Sequence, residues 1–548
     1  MSPDTLLGTA ALARRDMPAP SAPARVTAAP DLEALLGHAA PDWLTLAVIL
    51  YLMLPGLLFL GGWALPTAAA AAVLAGFGAL ALAPGWAGGW PLGLRMTALC
   101  LGLGLAWAAA TGAHHLLYST ADWQVRDAVL RDLALGPWPV GYRQADGTAW
   151  LLRAPLGFFL PAGLAGQGLG LRAAQGLLWA WCGAGLGLVL ALLAGLGRAL
   201  LPLHPGRAFA VLGGTFVLFH GADILPNLVL DGHAGAGLLA SWGRGGEWWN
   251  RLFQYSGHVT AVLWAPNHAL PAWLATLLLL RHARAPDFPR LAALPLAAAA
   301  FWSPIGAAGA ALLTLAALAP GGAWRGAWRG AWRGVLAAPG NWLAAGFALP
   351  LCLYLTAGVG QVPHGALLAL HPPAEAAARW LLLLVIEVLP WAVPVALLLR
   401  GGWPFRAAVA LLGVLPAYVF GPGNEMASRG GMAPLAVLAV AAGAALLVPA
   451  IRARSRPAWL ALRGVAALAV AGAVMEASLL AARPAWPASP DCAVPQAAHQ
   501  SVFDDSTDWS HYVAPWPEPA LVPWMAPPVL RALPPEERAP RCWPRGRP

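Results

Sequence analysis

The chain contains no lysine, so its net charge of +9 comes entirely from arginine. Charge of either sign is scarce: 10% of the 548 residues are charged, against about a quarter in soluble globular proteins. That shortage excludes an ordinary soluble domain. No basic cluster is interleaved with aromatics in a soluble domain, so a nucleic-acid partner is not expected. Cysteine is sparse as well, at positions 100, 182, 352, 492 and 542, with no CxxC pair and no zinc spacing. Cys100, Cys182 and Cys352 lie in apolar segments as packing residues. Cys492 and Cys542 flank the C-terminal tail and could pair if that tail faces an oxidising compartment. No Walker motif, GxGxxG after a strand, HExxH or GxSxG occurs, which removes support for nucleotide hydrolysis and soluble-type hydrolase chemistry. No apolar signal-peptide core precedes residue 43, and residues 1–41 read as a disordered cytoplasmic arm.

What is present is apolar: 59% hydrophobic residues and a mean hydropathy of +0.63. Many runs approach the roughly 20 residues that span a bilayer, which predicts an all-α integral membrane protein with about thirteen transmembrane helices. The expected spans are 43–60, 64–83, 93–112, 173–195, 207–221, 259–280, 290–302, 303–319, 341–358, 376–399, 405–421, 432–450 and 459–481. The break SPIG at 303–306 either separates two short spans or kinks one long helix. Cytoplasmic loops collect arginine. With the N-terminus inside, the inner turns hold Arg95, Arg198, Arg207, Arg281, Arg284, Arg290, Arg325, Arg329, Arg333, Arg400, Arg406, Arg452, Arg454 and Arg456. The long first outer loop departs from the pattern with five arginines, and long segments obey the rule weakly.

Three regions result: the arm 1–41; a polytopic domain 42–482 with outer loops 113–172, 222–258, 359–375 and 421–431; and a Pro- and Trp-rich outer tail, 483–548. The expected setting is a bacterial inner (cytoplasmic) membrane, with the tail periplasmic or extracellular. Asp122, Asp127, Asp223, Glu247, Glu375 and Glu425 then all fall on the outer side. The repeat AWRGAWRGAWRG (323–334) is too short to be a structural unit and reads as low-complexity expansion in an inner loop.

Residues 118–161 are the first long polar interruption. From Asp122 to Leu135 the apolar residues fall mostly at helical spacing, so the segment predicts an amphipathic helix along the membrane surface, ended by Pro137 and Pro139. Asp122 and Asp127 are either acids facing water beside Arg126 and Arg131, or one of them is a general base for an acceptor hydroxyl. Asp223, in FHGADILPN, is an interfacial or a functional acid. Glu247 beside Trp248 and Trp249 suits a sugar surface, although Trp also marks membrane interfaces. Asn267 and His268 lie inside the sixth span between Pro266 and Pro271, where prolines free carbonyls that something must satisfy. They either line a wet cavity or join two helices. Glu425 and Arg429 are spaced as an ion pair; equally, Arg429, like Arg379, can hold a phosphate in bidentate geometry.

ADWQVRDAVLRDLALGPWPVGY, FHGADILPN, EWWNRLFQYSGHVTAVLWAPNHALPAW and GNEMASRGGMAPL together resemble a group of large bacterial polytopic membrane proteins. In that group a DW…LRDL…PWPVxY loop, an SGLD-like segment, an EWW…QYS…PxHALPxW segment and an NDxxxRxSxPxL segment recur in this order. Its layout is similar to that of GT-C-type glycosyltransferases, which take sugar from polyprenyl-phosphate donors and carry a catalytic Asp on the first outer loop. The resemblance spans roughly residues 100–450. It matches Asp122 to the loop acid, Glu247 to the EWW acid, Asn267 and His268 to the polar pair, and Asn424 and Arg429 to the NDxxxR pattern, in which Glu425 replaces Asp. His220 and Ala222 depart from the SGLD pattern.

The resemblance implies transfer of a sugar from a polyprenyl-phosphate-linked donor to an unidentified acceptor at the outer face. Asp122 would act as base, and Arg429, with Arg379 or Arg126, would steady the leaving phosphate. A divalent metal held by Asp122, Asp223 and Glu247 is compatible, though no ligand spacing demands one. The alternatives are a transporter or flippase gated at 264–273, and a non-catalytic envelope-assembly protein.

Overall fold

A computed structural model describes residues 36–86, 88–233, 245–319, 325–399, 402–421, 423–501, 512–535 and 538–543, with Leu32 and Gly243 as isolated positions. The expected arm 1–41 lies mostly outside the described residues, as do the first residues of the AWRG repeat.

Most described residues are helical. Five helices are long and apolar enough to cross a membrane: Trp43–Trp63, Leu171–Leu200, Pro373–Leu399, Glu425–Leu447 and Arg456–Ala482. A sixth arises if Gly330–Ala337 and Pro339–Thr356, bent by 61°, count as one span. The remaining expected spans are shorter helices or broken ones. Pro66–Leu82, Leu94–Ala108, Pro304–Leu318 and Trp403–Ala417 are apolar but have 10–17 residues. The break at SPIG separates Ala293–Ala300 from Pro304–Leu318, with Ser303 capping the second by accepting from Gly306 N. The run expected at 259–280 is likewise two helices, His258–Trp264 and Pro266–His282.

Small residues set the closest packing, as they do where helices meet without a solvent-driven gain. A side chain at Gly104 of Leu94–Ala108 would collide with the backbone of Gly183 and Gly187 of Leu171–Leu200. Aromatics fill the centre: Tyr51 stacks on Trp181 with centroids 4.1 Å apart, and Trp181 stacks on Trp302 at 6.0 Å.

The chain is not purely α-helical. A four-stranded sheet of order β5-β2-β1-β6 joins the polar segment 118–161 to the tail. Strands β1 (Val140–Arg143) and β2 (Ala149–Leu152) form an antiparallel hairpin with Gly141 opposite Leu151. Strand β5 (Val513–Pro515) pairs antiparallel with β2, and β6 (Val529–Ala532) pairs parallel with β1. Strands β3 (His364–Ala366) and β4 (Tyr418–Phe420) pair separately, tying the regions around 359–375 and 421–431 together.

The helix Trp123–Leu135 forms where the periodicity places it, but its setting differs from the expectation. Every residue from Trp123 to Ala134 is buried, the charged ones included. Its charges do not face water; the tail covers that face. Arg131 donates to Pro490 O at 2.9 Å, and Asp132 accepts from Val494 N at 2.9 Å and Tyr142 Oη at 2.7 Å. Cys492 and Cys542 are joined in a disulfide that closes the tail on itself.

Candidate functional site

The site starts from a helix break. Pro266 has no N–H, so the ladder stops at Ala265, and Leu263 and Trp264 end the preceding helix with their carbonyls freed. The polar segment 118–161 meets them. Thr120 Oγ1 and Trp123 Nε1 donate to Leu263 O at 3.3 and 3.2 Å, and Arg126 Nη1 donates to Trp264 O. Arg126 turns its other nitrogen to Asp122 Oδ2 at 2.8 Å. Asp122 itself is 30% exposed while Arg126 is 6% exposed, so the acid is the accessible end of the pair.

Beyond the break, His268 Nδ1 lies 2.9 Å from Ser303 Oγ. Asn267 Oδ1 is buried without a hydrogen-bond partner. From the other side comes the turn 421–431. Asn424, at φ +45°, caps the helix Glu425–Gly430, and Glu425 pairs with Arg429 at 3.0 Å. Asn424 Nδ2 and Glu425 Oε2 are buried without hydrogen-bond partners. The segments converge electrostatically: His268 lies in the field of Arg429 and Arg126. Tyr512, from the tail, lies in the field of Arg126, Asp122, Arg429 and Glu425. Desolvation pushes the Tyr512 phenol up to about 12, with the two acids adding to the rise and the two arginines opposing it. Residues far apart in the chain thus act on one another electrostatically, among them two guanidiniums, each paired to the acid one turn before it.

The other expected residues lie elsewhere. Asp127 is buried and pairs with His115 at 2.8 Å, which makes it a structural contact rather than an accessible base. Arg379 pairs with Glu375 at 2.8 Å and donates to Asn250 O, while Asn250 returns a bond to Arg379 O; together they fasten the EWWN turn to the helix Pro373–Leu383. Trp248 is exposed. Asp223 and Glu247 come together, but around His220, which reaches Asp223 through Nδ1 at 2.9 Å and Glu247 through Nε2 at 3.0 Å. Among the described residues the group of metal-ligand side chains that forms around these two acids contains His220 and not Asp122. A cavity of about 420 Å³ near the outer loop is lined by Gly62, Ala134, Leu135, Pro137, Trp138 and Gln167 and contains no titratable group, so it does not belong to this chemistry.

Two acids that sequence reasoning passed over complete the second cluster. Trp249 Nε1 donates to Asp223 Oδ1 at 2.7 Å and to Glu387 Oε1 at 3.0 Å, and Glu476 Oε1 accepts from Gly246 N. Glu387 and Glu476 are lone carboxylates in the apolar runs LLLLVIEVLPWAV and VAGAVMEASLL. An isolated acid inside such a run is itself a signal, which averaging hydropathy over a window erases. Compared with protein-family models, with curated proteins and with solved structures, the chain matches none.

Proposed function

We propose that the chain is a multi-pass membrane glycosyltransferase that moves a sugar from a polyprenyl-phosphate donor to an acceptor at the outer face. The observation that carries the reading is the accessible Asp122 held by Arg126, with the Glu425–Arg429 pair within electrostatic reach of the same tail residue, Tyr512. In this reading Asp122 takes the proton from an acceptor hydroxyl as that oxygen bonds to the anomeric carbon. The bond from that carbon to the phosphate oxygen breaks, and the lipid phosphate leaves with the electron pair. Arg429, the more exposed of the two guanidiniums at 30%, steadies the departing phosphate, since guanidinium matches its oxygens in bidentate geometry. Arg126, held on Trp264 O, fixes Asp122 in place. Such a leaving group carries its charge well, so positioning and electrostatics supply most of the acceleration.

The helix break at Ala265 gives the transporter reading its footing, because discontinuous helices form many transport sites. The carbonyls freed at that break are bound by Thr120, Trp123 and Arg126, which favours a fixed site over a moving gate. Expression of Asp122→Asn and Arg429→Ala separates the readings. Loss of surface-glycan mass with normally folded protein supports transfer. Unchanged glycan with lost solute uptake supports transport, and no change in either supports a scaffold.

A further inference from the structure

We infer that His220, Asp223 and Glu247, with Glu387 beside them, form a divalent-cation site that is separate from the region around Asp122. The three ligand atoms of His220, Asp223 and Glu247 all lie within 4.8 Å of one another, and all three residues are buried. Donors sharing one ion at roughly 2.0–2.2 Å stand roughly 3–3.5 Å apart. His220 meets Asp223 through Nδ1 at 2.9 Å and Glu247 through Nε2 at 3.0 Å, so an ion takes one of these nitrogens in place of that ring contact while the other nitrogen keeps its carboxylate.

A second observation is independent of that spacing. Among the described residues no N–H or hydroxyl donor reaches Glu387 Oε2, in a residue only 3% exposed; it faces the Asp223 carboxylate, and two buried carboxylates so placed share a proton or a cation. Oε2 is aimed into the cluster: a Cβ at Gly221 would collide with Glu387 Oε2 and lie 3.0 Å from Asp223 Oδ2, so both oxygens converge on the Gly221 backbone. The aim comes from a π-helical turn, Leu384–Val388, in an otherwise α-helical run. Such turns recur at functional sites because they displace one side chain from the helical register.

The surroundings hold each carboxylate by one oxygen. Trp249 Nε1 occupies Asp223 Oδ1 and Glu387 Oε1, leaving Oδ2 and Oε2 facing inward. Glu247 is fixed by Gly257 N at 2.6 Å and Gln254 Nε2 at 3.0 Å. Trp391 Nε1 donates to the His220 carbonyl at 2.8 Å. Outer donors that orient carboxylates and imidazole in this way are what a metal site needs beyond its ligands. Among the described residues, His220 is the only cationic side chain ion-paired to Asp223, Glu247, Glu387 or Glu476. Buried carboxylates in excess of cations are costly, and a divalent ion relieves that cost. One nitrogen and several carboxylate oxygens suit Mn2+ or Zn2+.

The full chain, purified in detergent and stripped with EDTA, is titrated with Mn2+ while the free-ion EPR signal is followed. The expected result is one Mn2+ bound per chain, displaced by Zn2+, with an accompanying rise in Tm. Asp223→Asn, Glu247→Gln and Glu387→Gln each weaken binding at least about tenfold, and Asp122→Asn binds as the parent does. Folded parent protein that binds neither Mn2+ nor Zn2+ overturns the inference. So does binding that survives Asp223→Asn and Glu247→Gln, or that is lost with Asp122→Asn.

Discussion

Asp122 and Arg126 stand one helical turn apart with their charged atoms 2.8 Å from each other, and the acid is the more exposed of the two, at 30% against 6%. The arginine is anchored on Trp264 O, so the acid is held from behind and open in front. Asp122→Asn should therefore leave most of the fold in place, since the acid itself is part-exposed and the buried Arg126 keeps its bond to Trp264 O. Activity should fall about 10²–10⁴-fold, the range for loss of a general base. Sugar transfer and thermal melting on the same preparation check this. A large drop in Tm alongside the lost transfer would mean that Asp122 is structural.

Arg126→Gln should act differently, because it removes the donor that meets Trp264 O at the helix break. A carbonyl stripped of its charged partner costs about 1–3 kcal/mol. The expected signature is a lower Tm together with faster hydrogen exchange across His258–Trp264, where the break would fray. Unchanged exchange there would show that Thr120 and Trp123 suffice to hold it.

The apolar helices and their breaks at Pro266 and Ser303–Pro304 were legible in the sequence, because proline and hydropathy act locally. So was the option that Cys492 pairs with Cys542. The count of about thirteen spans was not reproduced, because several apolar runs form helices of only 10–17 residues. The sheet was hidden for another reason. Its strands have three or four residues, and the parallel pairing of Val140 with Val529 leaves no local pattern. Burial of the charged face of Trp123–Leu135 was hidden in the same way: Asp132 looks water-facing until Val494 N and Tyr142 Oη are known to meet it. Within the site, Asp122 and Arg429 could be picked out by type and position. Glu387 could not, because its role depends on a π-helical turn and on Gly221.

Asp132 is the fastening between the outer helix, strand β1 and the tail. It accepts from Arg131 at 2.6 Å, Tyr142 at 2.7 Å and Val494 N at 2.9 Å, and is 3% exposed. Asp132→Ala strands Arg131 and the buried donors, at a cost of about 3–5 kcal/mol. Limited proteolysis should then release the tail while the apolar helices stay protected. A tail that remains resistant would sink this assignment.

The Cys492–Cys542 bridge spans 50 residues of separation, and closing a loop of that size stabilises by about 4 kcal/mol on the chain-entropy account. Reduction should loosen the tail without unfolding the helices, and should expose two thiols to maleimide. Cys100 and Cys182, both buried, should stay unlabelled. Labelling of Cys492 in unreduced protein would show that the bridge does not form.

His115 places Nε2 2.8 Å from Asp127 Oδ2 and Nδ1 2.7 Å from Trp486 O, so both ring nitrogens face acceptors and both must carry protons. Burial opposes that charge, but the Asp127 carboxylate outweighs it, and the His115 pKa stands raised. Asp127 is also raised, by burial first, with His115 and Arg126 opposing. For His115 the folded state holds a proton that the unfolded chain releases from about pH 6.5 upward. Its contribution is complete below that value and is lost as pH rises through the higher folded value. The Asp127 contribution has the same sign but declines from about pH 3.9 upward, in a separate acidic window. Tm should therefore fall as pH rises above about 6.5, and His115→Gln should flatten that slope. Asp127→Asn should abolish that fall and leave instead a rise in Tm as pH climbs toward about 6.5, because burial then favours the neutral imidazole. Melting curves from about pH 5 to 9 measure all three, and a slope that His115→Gln leaves unchanged would refute the charged pair.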